Sequence, residues 1–439
     1  DSAKTLAGMA MAAARLNLPA IIVTTGGSRW VFRQNPDGDQ KRTMPDPYEL
    51  LSQTLFGASK KKGVEPCASS DLFNECLLGQ DNHASHALDL ALEALGVTLP
   101  GMTTAPVQSP RRNQLAEESG ERVVALIKSG HGFRRFLTPN AFANAVRLNA
   151  ALGGSIDVVV HLTALAHEAG AGFGLEIFDR IARETPQVCR LGGVGEKAPH
   201  TLEDLDRAGG VWAVMHALKE KVLPTATLTG KGALELAKTT PVKDTSVIQA
   251  NRPYAKQSGI GVLTGNLAPK GALFLLNQVA PVAPVFRGPV AVFENEIDAA
   301  RALCDGTVKK GSALVVRGQG PRGGPGLRKL RVLPALMASR GWWKNVPLIT
   351  DGRLPDTPAG LFIGLVSPEA VTSGPLAVIR TGDQIEIDVA ARRLGVRLTD
   401  MELRIRMSRW QAPDLKTRRG FLERYSRQVS EAHEGAVLK

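Results

Sequence analysis

The feature that most constrains this chain is a change of texture near residue 245. Before it, apolar residues recur at helical spacing; Leu88, Leu92 and Leu95, for example, line one face of a segment that Gly96 ends. After it come short β-rich runs at Ile260–Leu263, Val290–Phe293, Ala313–Val316, Leu348–Thr350, Leu361–Val366, Ala377–Arg380 and Gln384–Val389, punctuated by Gly, Pro and Asp. Short strands between turn residues suit a compact β-barrel or sandwich-like domain. The expected organisation is an N-terminal α/β domain over 1–244, a β-barrel-like domain over 245–408, and a basic, helical tail over 409–439.

Within the first part the spacing predicts helices over 5–18, 84–96, 114–129 and 139–151. A further helix runs through His161 to Ala169, and another spans 203–220, interrupted by Gly209-Gly210. The run AIIVTT (20–25) reads as a buried strand that ends at the Gly26-Gly27 turn, as in a parallel sheet covered on both faces. Residues 29–80 read as loops.

The formal net charge is +12. Lys60, Lys61 and Lys62 form one cluster. A second stretch carries Lys309, Lys310, Arg317, Arg322, Arg328, Lys329 and Arg331, and a third Arg404, Arg406, Arg409, Lys416, Arg418, Arg419, Arg424 and Arg427. Such an excess favours an acidic protein surface or RNA as partner, with Lys309, Lys310, Arg418, Arg419, Arg424 and Arg427 as the candidate contacts. Cys67, Cys76, Cys189 and Cys304 are widely spaced with no CxxC pair, which reads as reduced thiols of an intracellular protein. No apolar run approaches the ~18 residues that would span a bilayer, so no membrane association is expected. The opening residues lack an initiator Met and do not resemble a signal peptide, which reads as a fragment or a processed form.

Several segments, taken in order, resemble the dihydroxy-acid dehydratase and phosphogluconate dehydratase family. They are DSAKTLAGMAMAAARLNLPAIIV (1–23), LEALGVTLPG (92–101), ALGGSIDVVVHLTALAHEAG (151–170), DLDRAGGVWAVM (204–215), GVLTGNLAPKGA (261–272), GQGPRGGPG (318–326), ITDGRLPDTPAGLFIGLVSPEA (349–370) and RGFLERYSRQVSEAHEGAVL (419–438). Their collinearity from end to end carries the resemblance. It implies an α/β domain followed by a swivelling β-barrel-like domain, usually in a homodimer. It also implies a hydro-lyase that turns 2,3-dihydroxy acids into 2-oxo acids, with an iron–sulfur cluster, magnesium and a serine base.

Laid against that pattern, the reactive positions depart from it. The opening loop's cluster cysteine falls at Ser2, its metal-binding aspartate at Ala3, and the lysine that the family carbamylates at Lys4. The second cluster cysteine falls at Gly79, with Cys76 three residues away. The glutamates flanking the glycine turn fall at Gln319 and Lys329; the base serine falls at Pro355, a histidine at Leu365, and Thr-Asn at Ile156 and Asp157. A serine is a poor substitute for a thiolate, and a lysine repels a divalent ion. The backbone-shaping residues persist, among them Gly153, Gly154, Gly323, Gly324, Asp351, Gly352, Arg353, Ser367 and Pro368.

Other polar motifs are weaker. Cys76, His83 and His86 lack a fourth zinc ligand, and His161 and His167 read as packing or surface residues. GQGPRGGPG lacks the Gly-Lys-Ser/Thr ending of a phosphate loop and reads as a tight turn. The expectation from these departures is a catalytically degenerate dehydratase-like protein, without cluster or magnesium. It would serve as a structural or binding subunit of a larger assembly, such as a ribonucleoprotein in a mitochondrion. The alternative is an active hydro-lyase with relocated ligands.

Overall fold

The computed structural model describes residues 3–24, 86–107, 109–191, 200–276, 285–339, 341–356, 360–414 and 419–439. The N-terminal part contributes helices Ala3–Leu16, 86–95, Pro110–Lys128, Pro139–Ala151, Ile156–Ala169, Leu175–Glu184, Leu202–Arg207, Gly210–Ala217 and Ala233–Thr239. Their ends follow local chemistry. Ser109 and Thr138 each accept a hydrogen bond from a first-turn backbone N–H, and a proline follows each at the first helical position, where its missing N–H costs nothing. Gly170 ends Ile156–Ala169 in the left-handed conformation.

Helix Ile156–Ala169 is buried from Ile156 through Val160 and again from Leu162 through Ala166, so it runs through the middle of the helical layer. Phe142, Phe178, Val158, Leu162 and Leu165 share one apolar cluster with Leu6, Ala10 and Ala14 of the first helix. The AIIVTT segment differs from the expected strand. Residues 20–24 form no strand; Ile22 gives its N–H to the Val97 carbonyl without forming a ladder among the described residues.

The second part is a closed eight-stranded barrel in the order β1-β2-β6-β5-β4-β3-β7-β8. Its strands are β1 (Ile260–Gly265), β2 (Ala268–Leu275), β3 (Val285–Phe293), β4 (Ala313–Val316), β5 (Leu348–Thr350), β6 (Phe362–Ser367), β7 (Gln384–Asp388) and β8 (Arg393–Val396). Helix Glu296–Cys304 crosses from β3 to β4 and helix Val332–Ser339 from β4 to β5, which makes β3, β4, β5 and β6 mutually parallel. β4 shows why these strands read as unbroken apolar runs. Ala313 and Val315 face the barrel interior, while Leu314 and Val316 pack outward against the two crossover helices. The run Ala377–Arg380, expected as a strand, instead begins in a 3₁₀ turn over Pro375–Val378.

Backbone meets backbone where the two parts join. Gly154 has φ +90°, and a methyl group there would stand 2.7 Å from the Gly259 Cα. Asp179 of the helical part accepts from the Val262 N–H at 3.1 Å and from Arg392 Nε at 2.8 Å. A Gly154→Ala variant should lose about 2–4 kcal/mol of stability, from the left-handed backbone and the backbone clash together. Chemical denaturation checks this; a loss under about 0.5 kcal/mol would show that the contact gives way freely.

Candidate active site

Four parallel strands put their carboxyl ends on one rim of the barrel. The chain leaves them as Glu294 after β3, Arg317–Gln319 after β4, Asp351–Asp356 after β5, and Pro368-Glu369 after β6. In sheets of this kind ligands bind at the carboxyl ends of the strands. Asp351 ties three of these ends together. It is fully buried and accepts backbone N–H groups from Gly318 at 3.0 Å, Gln319 at 2.8 Å and Ala370 at 2.9 Å. Burial raises its pKa above the usual carboxylate value, and the three N–H donors oppose that rise.

The glycine turn 318–326 is folded around a carboxylate of the protein itself. Glu369, 1 % exposed, accepts the N–H of Arg322 at 3.0 Å and of Gly323 at 3.0 Å. The turn reading of this motif therefore holds, and the group in its backbone cradle is the Glu369 carboxyl. Burial lifts the Glu369 pKa to about 8; the two N–H donors oppose the rise, and the nearby Asp351 and Glu431 charges add to it. The Arg322 side chain donates from Nε to the Val429 carbonyl at 2.9 Å.

An ionic cluster faces this rim from the start of helix Ile156–Ala169. Asp157 lies 2.7 Å from Lys329 Nζ and 3.2 Å from Arg353 Nη1, and the three side chains are 5 %, 6 % and 8 % exposed. Burial alone would raise the Asp157 pKa, but Arg353 and Lys329 overcome it and hold the carboxyl at about 2. Lys329 and Arg353 are neighbours in a short parallel bridge, reinforced by the Leu330 N–H to the Arg353 carbonyl at 2.8 Å. One turn along the helix, His161 is driven down to about 4 by burial and by Arg353, Lys329 and Lys4, against the pull of Asp157. It therefore belongs to this cluster and is a neutral imidazole near pH 7. Asp356 accepts from Ser155 Oγ at 2.6 Å and from the Ile156 N–H at 2.9 Å, capping the helix from across the junction. Its pKa is raised by burial and then by the Asp157 charge. The Tyr425 hydroxyl is pushed up to about 12 by burial and by Glu369, so it stays protonated.

The structure sorts the positions singled out from the sequence. Lys329 is at the centre of the cluster. Gln319 is used in the rim's own architecture, its Nε2 donating to the carbonyls of Glu294 at 3.0 Å and Arg317 at 3.1 Å. Pro355 sits in the loop between Arg353 and Asp356. Leu365 is 2 % exposed in β6, with φ +52° and its N–H on the Gly352 carbonyl at 2.8 Å. Lys4 is exposed at the start of the first helix, near enough to act on His161. Ala3 opens that helix. Ser2, Gly79, Cys67, Cys76, His83 and Arg418 lie outside the described residues. The basic stretch 309–331 is not the surface patch it was expected to be. Lys309, Lys310 and Arg328 keep that exposed character, but Arg317 binds Glu294 and three carbonyls, and the Lys329 side chain is buried.

The described donors do not fit a metal group. Cys189 is buried in the helical core and Cys304 ends a crossover helix; among the described residues no three His, Cys, Asp or Glu side chains come together as a metal site. Asp157 is already bound by two cations.

A helical layer joined to a mixed closed barrel, with a polar site at their junction, is the two-part architecture that the resemblance implies. The family models for dihydroxy-acid/6-phosphogluconate dehydratase match it in both parts, the N-terminal model over residues 3–236 and the C-terminal model over residues 246–436. The chain belongs to this family. It is 36% identical over 440 residues to a dihydroxy-acid dehydratase of Thermodesulfovibrio yellowstonii, which covers 99% of this chain and 78% of that relative. A dihydroxy-acid dehydratase of Citrifermentans bemidjiense is 38% identical over 437 residues, and one of Syntrophotalea carbinolica 37% over 439, each with the same coverage.

These relatives correct the functional expectation drawn from the substituted positions. Near-complete alignment with proteins named for the enzyme overturns the reading of a degenerate structural subunit, and with it the expected loss of cluster and magnesium. The ribonucleoprotein and mitochondrial readings fall as well, since the relatives are bacterial proteins named as dihydroxy-acid dehydratases. Among the described residues no helix is long and apolar enough to cross a membrane.

Glu369 provides a test of the rim's electrostatics. Its folded pKa, about 8, lies above the ordinary 4.5, so the folded state holds the extra proton and stability falls as pH rises between those values. A Glu369→Gln variant should gain on the wild type across that window, by up to about 1.4 kcal/mol per pH unit. Denaturation series at successive pH values measure it; parallel curves would mean that the carboxyl is ionised throughout.

Proposed function

We propose that this chain is a hydro-lyase that dehydrates a 2,3-dihydroxy carboxylic acid to the 2-oxo acid. In that reaction the C2 hydrogen leaves as a proton and the C3 hydroxyl leaves with its electron pair. The resulting enol takes a proton at C3 and becomes the ketone, so the net change is loss of one water. What carries the reading is the meeting of the family's collinear segments at a single junction. Residues 318–326, 349–370 and 151–170 converge there on a buried, cation-rich surface. Fixed positive groups in a poorly hydrated site stabilise the negative charge that develops on a carboxylate-bearing carbanion or enolate. The neutral His161 and the protonated Tyr425 and Glu369 give that surface groups able to hold or move a proton.

Full-length protein purified without oxygen and supplied with a short 2,3-dihydroxy acid should release a 2-oxo acid, followed as its hydrazone. In deuterium oxide the product should carry one deuterium at C3, taken up when the enol closes to the ketone. Product with hydrogen at C3 would mean a direct hydrogen shift, and absence of product under these conditions would remove the reading.

The exposed basic residues Lys309, Lys310, Arg419, Arg424 and Arg427 are proposed to meet an acidic protein surface, and the chain to form a homodimer. Arg427 is already paired with Glu423, so Arg419 and Arg424 offer the freer charge. Changing both to Gln should lower the salt concentration at which the partner dissociates in a co-purification series. An unchanged profile would assign these arginines to solvent.

A further inference from the structure

We propose that Arg353 and Lys329 together form the seat for the carboxylate of the substrate, an assignment that rests on the hydro-lyase reading. The observation behind it is an incomplete guanidinium. Arg353 is 7 % exposed, yet among the described residues its Nε has no hydrogen-bond partner. Its contact with Asp157 runs through Nη1 at 3.2 Å, leaving the Nε edge of the fork unused. A buried polar N–H without an acceptor is uncommon in a folded protein and marks a place where a ligand oxygen belongs. The flat fork of an arginine matches the two oxygens of a carboxylate.

The surroundings favour an anion of that size. Lys329 stands beside Arg353 in the parallel bridge, with its ammonium on the other Asp157 oxygen, so two cations converge on one carboxylate. Among the described residues Asp157 Oδ1 also lacks a conventional hydrogen bond, which leaves the pair loosely coordinated on the arginine side. The second acid nearby, Asp356, is directed to Ser155 and Ile156. Neutral His161 adds no negative charge. The cluster lies next to the loop that leaves β5, at the carboxyl end of the parallel strands. A 2-hydroxy carboxylate bound through its acid group would present C2 and C3 to the rest of the rim.

The probes are lactate and lactamide, which share shape and hydroxyl but differ in charge, titrated calorimetrically into the full chain. Wild type should bind lactate at least tenfold more tightly than lactamide. Arg353→Gln and Lys329→Met should each lose at least tenfold of the lactate affinity, and Arg353→Lys should keep part of it. Equal binding of the two probes by wild type, no binding of either, or full lactate affinity in folded variants would overturn the assignment. A cluster that serves only to clamp the two parts together would lower the melting temperature of the variants and leave wild type indifferent to the probe's charge. Because binding is read without turnover, the two readings fail separately. Lactate binding with no 2-oxo acid produced removes the hydro-lyase reading, and 2-oxo acid production with charge-blind binding removes the carboxylate seat.

Discussion

The rim of the barrel depends on the carboxylate of Asp351. Three parallel strands end within a few residues of one another, and each end leaves backbone N–H groups without a ladder partner. Buried and unpaired, such groups cost about 1–3 kcal/mol each. Asp351 takes one from Gly318, one from Gln319 and one from Ala370, so a single side chain fixes the exits of β4, β5 and β6 relative to each other. Arg353, two residues beyond Asp351, and Lys329 then meet at the bridge from which both reach Asp157.

The junction between the two parts is built from the same economy of contact. Gly154 and Gly259 allow the backbones to touch, and this brings the start of helix Ile156–Ala169 against the loop after β5. Asp356 then caps a helix that belongs to the other part of the chain, and Asp157 on that helix reaches back to the barrel's two cations. Breaking one side of such a buried pair leaves an uncompensated charge, which is far costlier than the pair's net worth. The polar contacts therefore specify which surfaces meet, while the apolar cluster around Phe142, Phe178 and Leu273 supplies the driving force.

Much of this was legible in the residues. The helix start at Pro139 falls where the spacing predicts it, the start at Pro110 lies four residues earlier than the spacing predicts, and β4 and β5 fall where four- and three-residue apolar runs predict them. β8 was not legible, because Arg393–Val396 carries only two apolar inward residues, Leu394 and Val396, and β2 was hidden by its Pro-Lys-Gly start. AIIVTT shows the reverse error: apolar content without a pairing edge. The site was legible as a set of positions but not as an arrangement. Lys329 read as a charge that would expel a metal, whereas its structural meaning comes from Asp157, 172 positions earlier in the chain. Arg353 and His161 gave no local sign of burial at a charge cluster. Judging function from substituted positions alone led to the wrong class, since identity along the whole chain is the broader constraint.

The glycine turn at 318–326 has one more implication. Loops of this composition elsewhere hold phosphate by pointing successive amides at it. Here the amides of Arg322 and Gly323 are already satisfied by Glu369, and Arg322 is tethered to the last segment of the chain. A phosphoryl group arriving at this loop would meet a filled seat and an acid rather than a waiting cradle. The amides of this turn are taken up by the protein's own fold, and a phosphate would have to displace Glu369 to reach them.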